Sequence, residues 1–216
     1  MGVTEAAEML AVSERRVRQM ISDGRLHGDR IGRTWVIDRR ELLRVKGDRR
    51  PAGRPWSPAS AWAVLALADG LRVDLSPGKR SRAKARLKLD RSQLVGKLAS
   101  RSRERRFFAH PGVLAVLSGR VVLSGRSAAE RYGVDLVGDD VLEGYVLVSD
   151  VDRLVGEFGL DEGAERANVL LRGVADDVWP FPGRSGVAGR TTVAVDLLES
   201  DDQRLIRAGV EMRAFG

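Results

Sequence analysis

The residues with the most specific chemistry lie in SERRVRQMIS, where Arg15, Arg18 and Gln19 fall at helical spacing. An arginine can give two hydrogen bonds to a guanine edge and a glutamine two to adenine, so these side chains on one helix face make a base-reading surface. Val17, Met20 and Ile21 recur at i, i+3 and i+4 and must face a core, which turns Arg15, Arg18, Gln19 and Ser22 outward. Arg16 sits at the flank, where a phosphate contact is expected. Ser13 and Ser22 at the helix ends join it as phosphate-side residues.

Three other stretches carry weaker chemical signals. Gly183, Gly186 and Gly189 form GRSGVAG, which lacks the Lys-Ser/Thr pair of a phosphate-cradling loop and precedes a predicted strand, so a flexible turn is expected. Ser124-Gly125-Arg126-Ser127 sits where a hydrolase would place its nucleophile, but no histidine follows residue 110 to serve as base, and Ser127 is expected to cap a helix. Asp196, Glu199, Asp201 and Asp202 could in principle hold Mg²⁺. No matching pair of carboxylates on adjoining strands is evident, and Asp201 as the cap of the last helix accounts for part of the cluster.

Two short helices and a hairpin are expected to position the arginines. Thr4–Leu10 forms a short amphipathic helix, Ala11-Val12-Ser13 is a turn, and Ser13 is the expected N-cap of a second helix ending at Gly24. After it the period changes: Arg30-Ile31-Gly32-Arg33-Thr34-Trp35-Val36-Ile37 fits a hairpin turning at Gly32. Arg30, Arg33 and Thr34 would face phosphates or the minor groove, and Trp35 or Ile37 would close the core beneath. Asp38 and Glu41 form a capping box leading into Leu42, Leu43 and Val45, a third helix. The run TEAAEMLAVSERRVRQMISDGRL followed by RIGRTWVIDRREL closely resembles the small winged-helix domain of the excisionase and MerR-like families. That resemblance implies major-groove DNA binding by the helix from Ser13 to Asp23.

A chain of 216 residues, 43% of them hydrophobic, can bury a real core. Without cysteine, disulfides and Cys-based metal sites are excluded. His27 and His110 alone make a histidine metal site improbable, so no metal and no cofactor are expected. The longest apolar run, Trp62 to Ala68, is too short to span a bilayer; a cytoplasmic protein with no membrane partner is expected. Residues 1–110 hold 26 Lys and Arg against 12 Asp and Glu, a net of +14, whereas residues 111–216 hold 11 against 18, a net of −7. One end is built to meet a polyanion, and the acidic half should do something else.

The expected class is α+β: a winged helix-turn-helix over 1–46, a linker over 47–56, a basic helical segment over 57–104 and a mixed α/β domain over 105–216. Ser57-Pro58 and Ser76-Pro77 start helices. The second carries Lys79, Arg80, Arg82, Lys84, Arg86 and Lys88 without one acid between, which leaves phosphate contact, an acidic partner or a merely solvated face open. Ser100 to Arg106 adds a second basic run, SRSRERR. Strands are expected over 106–109, 121–123, 144–148, 168–174 and 192–195, with helices over 111–117, 127–132, 150–158 and 202–212. The Trp179-Pro180-Phe181-Pro182 aromatics should cover a core edge.

The segments RPWSPASAWAVLALADG, VVLSGRSAAERYGVDLV, GYVLVSDVDRLV, NVLLRGV with VWPFP, and AVDLLESDDQRLIRAGVEM resemble the C-terminal region of AbiEi-type antitoxins. That resemblance implies an autoregulating repressor, not an enzyme, that binds double-stranded DNA and is partnered by a nucleotidyltransferase-like toxin. A homodimer on paired half-sites is expected as well. The alternatives are an excisionase-like recombination directionality factor and a metal-dependent nuclease using the Asp196–Asp202 carboxylates.

Overall fold

The structure is a computed structural model that describes residues 1–10, 12–22, 26, 28–32, 34–38, 54–89, 91–136 and 141–212. It divides into two compact units, Met1–Arg50 and Pro51–Gly216.

In the first unit, α1 (Val3–Leu10) and α2 (Glu14–Ser22) precede an antiparallel hairpin of β1 (Gly28–Ile31) and β2 (Thr34–Ile37). The α1–α2 turn is closed by the Val12 amide donating to the Ala7 carbonyl, and the Ser13 hydroxyl accepts from the Arg16 amide at 3.3 Å, as the capping signal predicts. Ala6, Ala7, Leu10, Val17, Met20, Leu26 and Ile37 make a small closed core. Of the two residues expected to close it, Ile37 does so and Trp35 stays half-buried. Gly32 makes the hairpin turn with φ of +62°, a value L-residues seldom adopt. The third helix expected from Asp38 onward and most of the linker lie outside the described residues.

The second unit is a five-stranded mixed sheet with helices on both faces. Its elements are α3 (Pro58–Ala68), α4 (Pro77–Arg86), α5 (Arg91–Leu98), β3 (Arg103–Phe107), α6 (Pro111–Ser118), β4 (Val122–Leu123), α7 (Arg126–Ala129), β5 (Leu142–Leu147), α8 (Val148–Phe158), β6 (Val169–Val174), β7 (Gly186–Val187), α9 (Arg190–Leu198) and α10 (Gln203–Glu211). Strand order is β3-β6-β5-β4-β7; β5 and β6 pair in parallel across the α8 crossover, and β4 pairs with β7 in parallel. Side chains alternate across the sheet. Leu142, Val146, Val169 and Leu171 meet α6 and α8 on one face, and Tyr145 and Val174 meet α3, α5, α9 and α10 on the other.

Several expectations are corrected. The helices of 57–104 are no separate segment, because Trp62, Leu65, Ala83, Leu94 and Leu98 share one core with Tyr145, Val193 and Leu205. Thr192–Val195 is no strand but lies inside α9, whose residues Thr191 to Leu197 are all buried, so no amphipathic period shows. GRSGVAG consequently leads into a helix: Gly186–Val187 is the edge strand β7 and Gly189 is the N-cap of α9. Ser127 caps nothing, because Gly125 holds the cap position; its hydroxyl instead donates to the Val141 carbonyl and accepts from the Glu143 amide. The last helix is capped by Asp202, which accepts from the Arg204 amide at 2.8 Å, and not by Asp201.

Candidate nucleic-acid interface

On α2, Val17 (0% exposed) and Met20 (6%) point inward, and Ser13, Arg15, Arg16, Arg18, Gln19 and Ser22 are exposed. Residues 15, 18, 19 and 22 follow i, i+3, i+4, i+7 and form one stripe, with Arg16 beside it. The stripe is not free of internal acid. Arg18 donates to Glu14 at 2.7 Å, and Glu14 also accepts from the Thr4 hydroxyl at 2.7 Å. Those two hydrogen bonds, Thr4 first, hold the Glu14 carboxyl below its ordinary range. Arg15 and Arg16 have no ion pair among the described residues.

On the hairpin, Arg30 is exposed and pairs across the strands with Trp35. Thr34 pairs with Ile31 beside the turn, and Arg33 lies outside the described residues. Two hydrogen-bonded helices with an exposed polar stripe on the second, followed by a short hairpin, can reach a duplex groove and its flanking phosphates at once.

In the second unit α4 presents a second cationic surface. Lys79, Arg80, Arg82 and Lys84 are exposed, and Ala83 is the buried residue that anchors the helix. Arg80 donates to the Val73 carbonyl, and Arg86 lies 4.7 Å from the Trp56 ring centre. None of these five side chains forms an ion pair among the described residues.

The other basic run behaves differently, and nothing in its local sequence signals the difference. Arg101 is 1% exposed and donates to Asp196, to Glu199 at 2.6 and 2.7 Å and, through Nε, to the Tyr145 hydroxyl at 3.0 Å. Asp196 also accepts from Ser124 and from Tyr145. Strand register builds the rest of this cluster: Glu104 pairs with Arg172 across β3–β6 and Arg172 with Tyr145 across β6–β5, so all three share a sheet face. Burial pushes the Asp196 carboxyl up, but Arg172 and Arg101 together with the Ser124 and Tyr145 hydrogen bonds overcome it and hold the group below its usual range. Burial raises the Glu143 carboxyl despite Arg172 and Arg126. The Asp196 carboxylate is therefore engaged within the core, with Glu199 beside it on Arg101. Among the described residues no acidic or histidine group is arranged to hold a metal ion.

Residues 1–50 match the model of a helix-turn-helix domain family. Over 44 residues, 20% of this chain, the sequence is 51% identical to the probable plasmid-partitioning protein ParA of Thermus thermophilus; the match spans 14% of that protein. No solved structure matches the chain. Residues 1–50 are a helix-turn-helix DNA-binding domain. None of the described helices is long and apolar enough to cross a membrane.

Proposed function

We propose that the protein is a sequence-specific DNA-binding repressor in which the first unit reads the operator. The observation that carries this reading is the exposed stripe of α2, with Arg15, Arg18 and Gln19 on bases and Ser13, Arg16, Ser22, Arg30, Arg33 and Thr34 on phosphates or in the minor groove. The α4 residues Lys79, Arg80, Arg82, Lys84 and Arg86 add phosphate contacts. A lone reader of this size covers few base pairs, so two copies on paired half-sites are expected.

The finer reading is an autoregulating antitoxin whose second unit meets a nucleotidyltransferase-like toxin; the resemblance of residues 55–214 supports it. The partitioning protein's match is confined to the reader, which suits a module shared by proteins whose remaining parts do different work. The chain acts by binding and not by catalysis, and its Asp196 carboxylate is held by Arg101 instead of standing open. Plasmid incubated with the protein and Mg²⁺ stays intact on this reading.

One titration tests the interface. A duplex selected by the full chain from a randomised pool is bound at several salt concentrations. Arg15→Ala costs about 1–3 kcal/mol and relaxes preference at one base pair. Replacing Lys79, Arg82 and Lys84 by Gln weakens all sequences alike and reduces the salt slope by about 0.9 for each phosphate no longer neutralised. If Arg15→Ala leaves affinity and preference untouched, the recognition surface is misassigned.

A further inference from the structure

A cavity of about 360 Å³ in the second unit opens at the carboxyl end of β5, within the range of roughly 300–1,000 Å³ common for small-molecule sites. Three guanidiniums from separate segments converge on it: Arg120 from the turn before β4, Arg153 from α8 and Arg184 from the loop before β7. They alternate with two carboxylates. Arg120 pairs with Glu157, Glu157 with Arg153, Arg153 with Asp150, and Asp150 lies 3.8 Å from Arg184. The row begins and ends on a cation and so carries one surplus positive charge.

Its surplus of donors is larger. Each guanidinium has several N–H groups in a fixed fork, yet among the described residues three hydrogen bonds engage them, all to Glu157 or Asp150. Among the described residues Arg184 makes none, because its ion-pair distance exceeds hydrogen-bonding range. Asp150 and Glu157 hold the forks in place without satisfying them, which prepares the row for a group with several acceptor oxygens.

The wall beside the row is aromatic. Trp179 lines the cavity with its indole N–H fixed on the Gly183 carbonyl at 3.1 Å and its ring edge-to-face with the buried Phe181. Arg184 lies 5.5 Å from the Trp179 ring centre, and Val146 and Leu147 at the end of β5 also line the cavity. A lone carboxylate would need one fork and no ring wall. We infer that this cavity binds a nucleoside phosphate, with its phosphoryl oxygens on Arg120, Arg153 and Arg184 and its base against Trp179. The same chemistry is offered by a free mononucleotide and by an unstacked nucleotide of a single strand.

Calorimetric titration of the full chain with adenosine 5′-monophosphate, inorganic phosphate, adenosine and a short single-stranded oligonucleotide tests the site. The monophosphate binds and adenosine does not. Arg184→Ala weakens the monophosphate and inorganic phosphate by about ten- to a hundredfold, and Arg184→Lys, which keeps the charge but loses the fork, recovers part of the loss. Trp179→Leu weakens the monophosphate but not inorganic phosphate, and Trp179→Phe restores it. Because Arg184 is 61% exposed, its variants keep the parent unfolding midpoint. Binding of the oligonucleotide alone, lost in Arg184→Ala, assigns the site to a nucleic-acid strand; binding of the monophosphate assigns it to a free nucleotide. The inference is overturned if none of these titrates, or if Arg184→Ala binds them as well as the parent. The monophosphate and inorganic phosphate titrations read the cavity without any operator duplex, so failure here and failure of the operator reading are separable.

Discussion

In the first unit the arginines of α2 face solvent, and Arg18 alone has a described carboxylate, Glu14. In the second unit Arg101, Arg105, Arg106, Arg120, Arg126, Arg153, Arg172, Arg184 and Arg204 all lie within ion-pair reach of an acid. The α4 cations follow the first pattern although they belong to the second unit. The contrast has a physical reason. A guanidinium enclosed in protein must be matched, because an unpaired buried charge is costly. A cation meant for a polyanion is best left unmatched, since an internal carboxylate would compete with the phosphate and repel it. Burial together with pairing therefore marks Arg101 and Arg172 as arginines that hold the fold, whereas the exposed guanidiniums of α2, of α4 and of the Arg120, Arg153 and Arg184 row keep donors available to a partner.

The largest expected effect comes from breaking the most buried pair. Arg101→Ala leaves Asp196, the Tyr145 hydroxyl and half-buried Glu199 without their shared donor and should cost about 3–5 kcal/mol in a denaturant titration. The double variant Arg101→Met with Asp196→Leu should recover much of that loss, because it removes both charges together. A cost for Arg101→Ala no larger than that of exposed Arg204→Ala would break the distinction between the two kinds of arginine.

Acid sharpens the same contrast. The folded-state pKa of Asp196 is depressed, so its stabilising contribution is complete above the ordinary aspartate value of about 4 and is lost as pH falls through the lower folded value. Glu143 runs the other way. Its folded pKa is raised, so its contribution is present below the ordinary glutamate value and is lost as pH rises through the raised one. Urea midpoints measured against pH should therefore fall at the acid end in the parent and fall less steeply in Asp196→Asn, whereas Glu143→Gln should gain stability near neutrality. An acid limb unchanged by Asp196→Asn would show that the buried pairs do not govern the second unit.

These differences track what is legible in the sequence. The first unit is readable because its signals are local: Ser13 three residues before the amide it caps, Val17 and Met20 at helical spacing, Gly32 between two short β runs. Most α/β elements of the second unit fall near their expected places for the same reason, the β5–α8–β6 crossover among them. Arg101 is not legible. In SRSRERR it looks like its solvated neighbours, and its partners Tyr145, Asp196 and Glu199 lie 44 to 98 residues away. Thr191 and Thr192 mislead by their β-branched side chains. What makes them helical is Asp69, more than a hundred residues earlier, whose carboxylate accepts from both of their amides and from the Thr192 hydroxyl. A Cβ on Gly189 would lie 2.1 Å from that carboxylate, so glycine alone lets it reach the helix end.

The smallest effect on stability should come from Glu14, the acid that pairs with the reading stripe. Glu14 is solvent-facing, and its bonds to Thr4 and Arg18 lie at the surface, where ion pairs contribute little to folding. Glu14→Gln should leave the unfolding midpoint of the full chain close to the parent's. It should nevertheless raise affinity for the selected duplex, because a negative charge leaves the neighbourhood of the phosphates and Arg18 is released from its i, i+4 partner. The gain should be larger at low salt and shrink in the Arg18→Ala background. A gain undiminished there would mean that Glu14 acts by general repulsion alone, and a loss of affinity would mean that Glu14 positions Arg18 for its base, which turns the pair from a restraint into part of the reader.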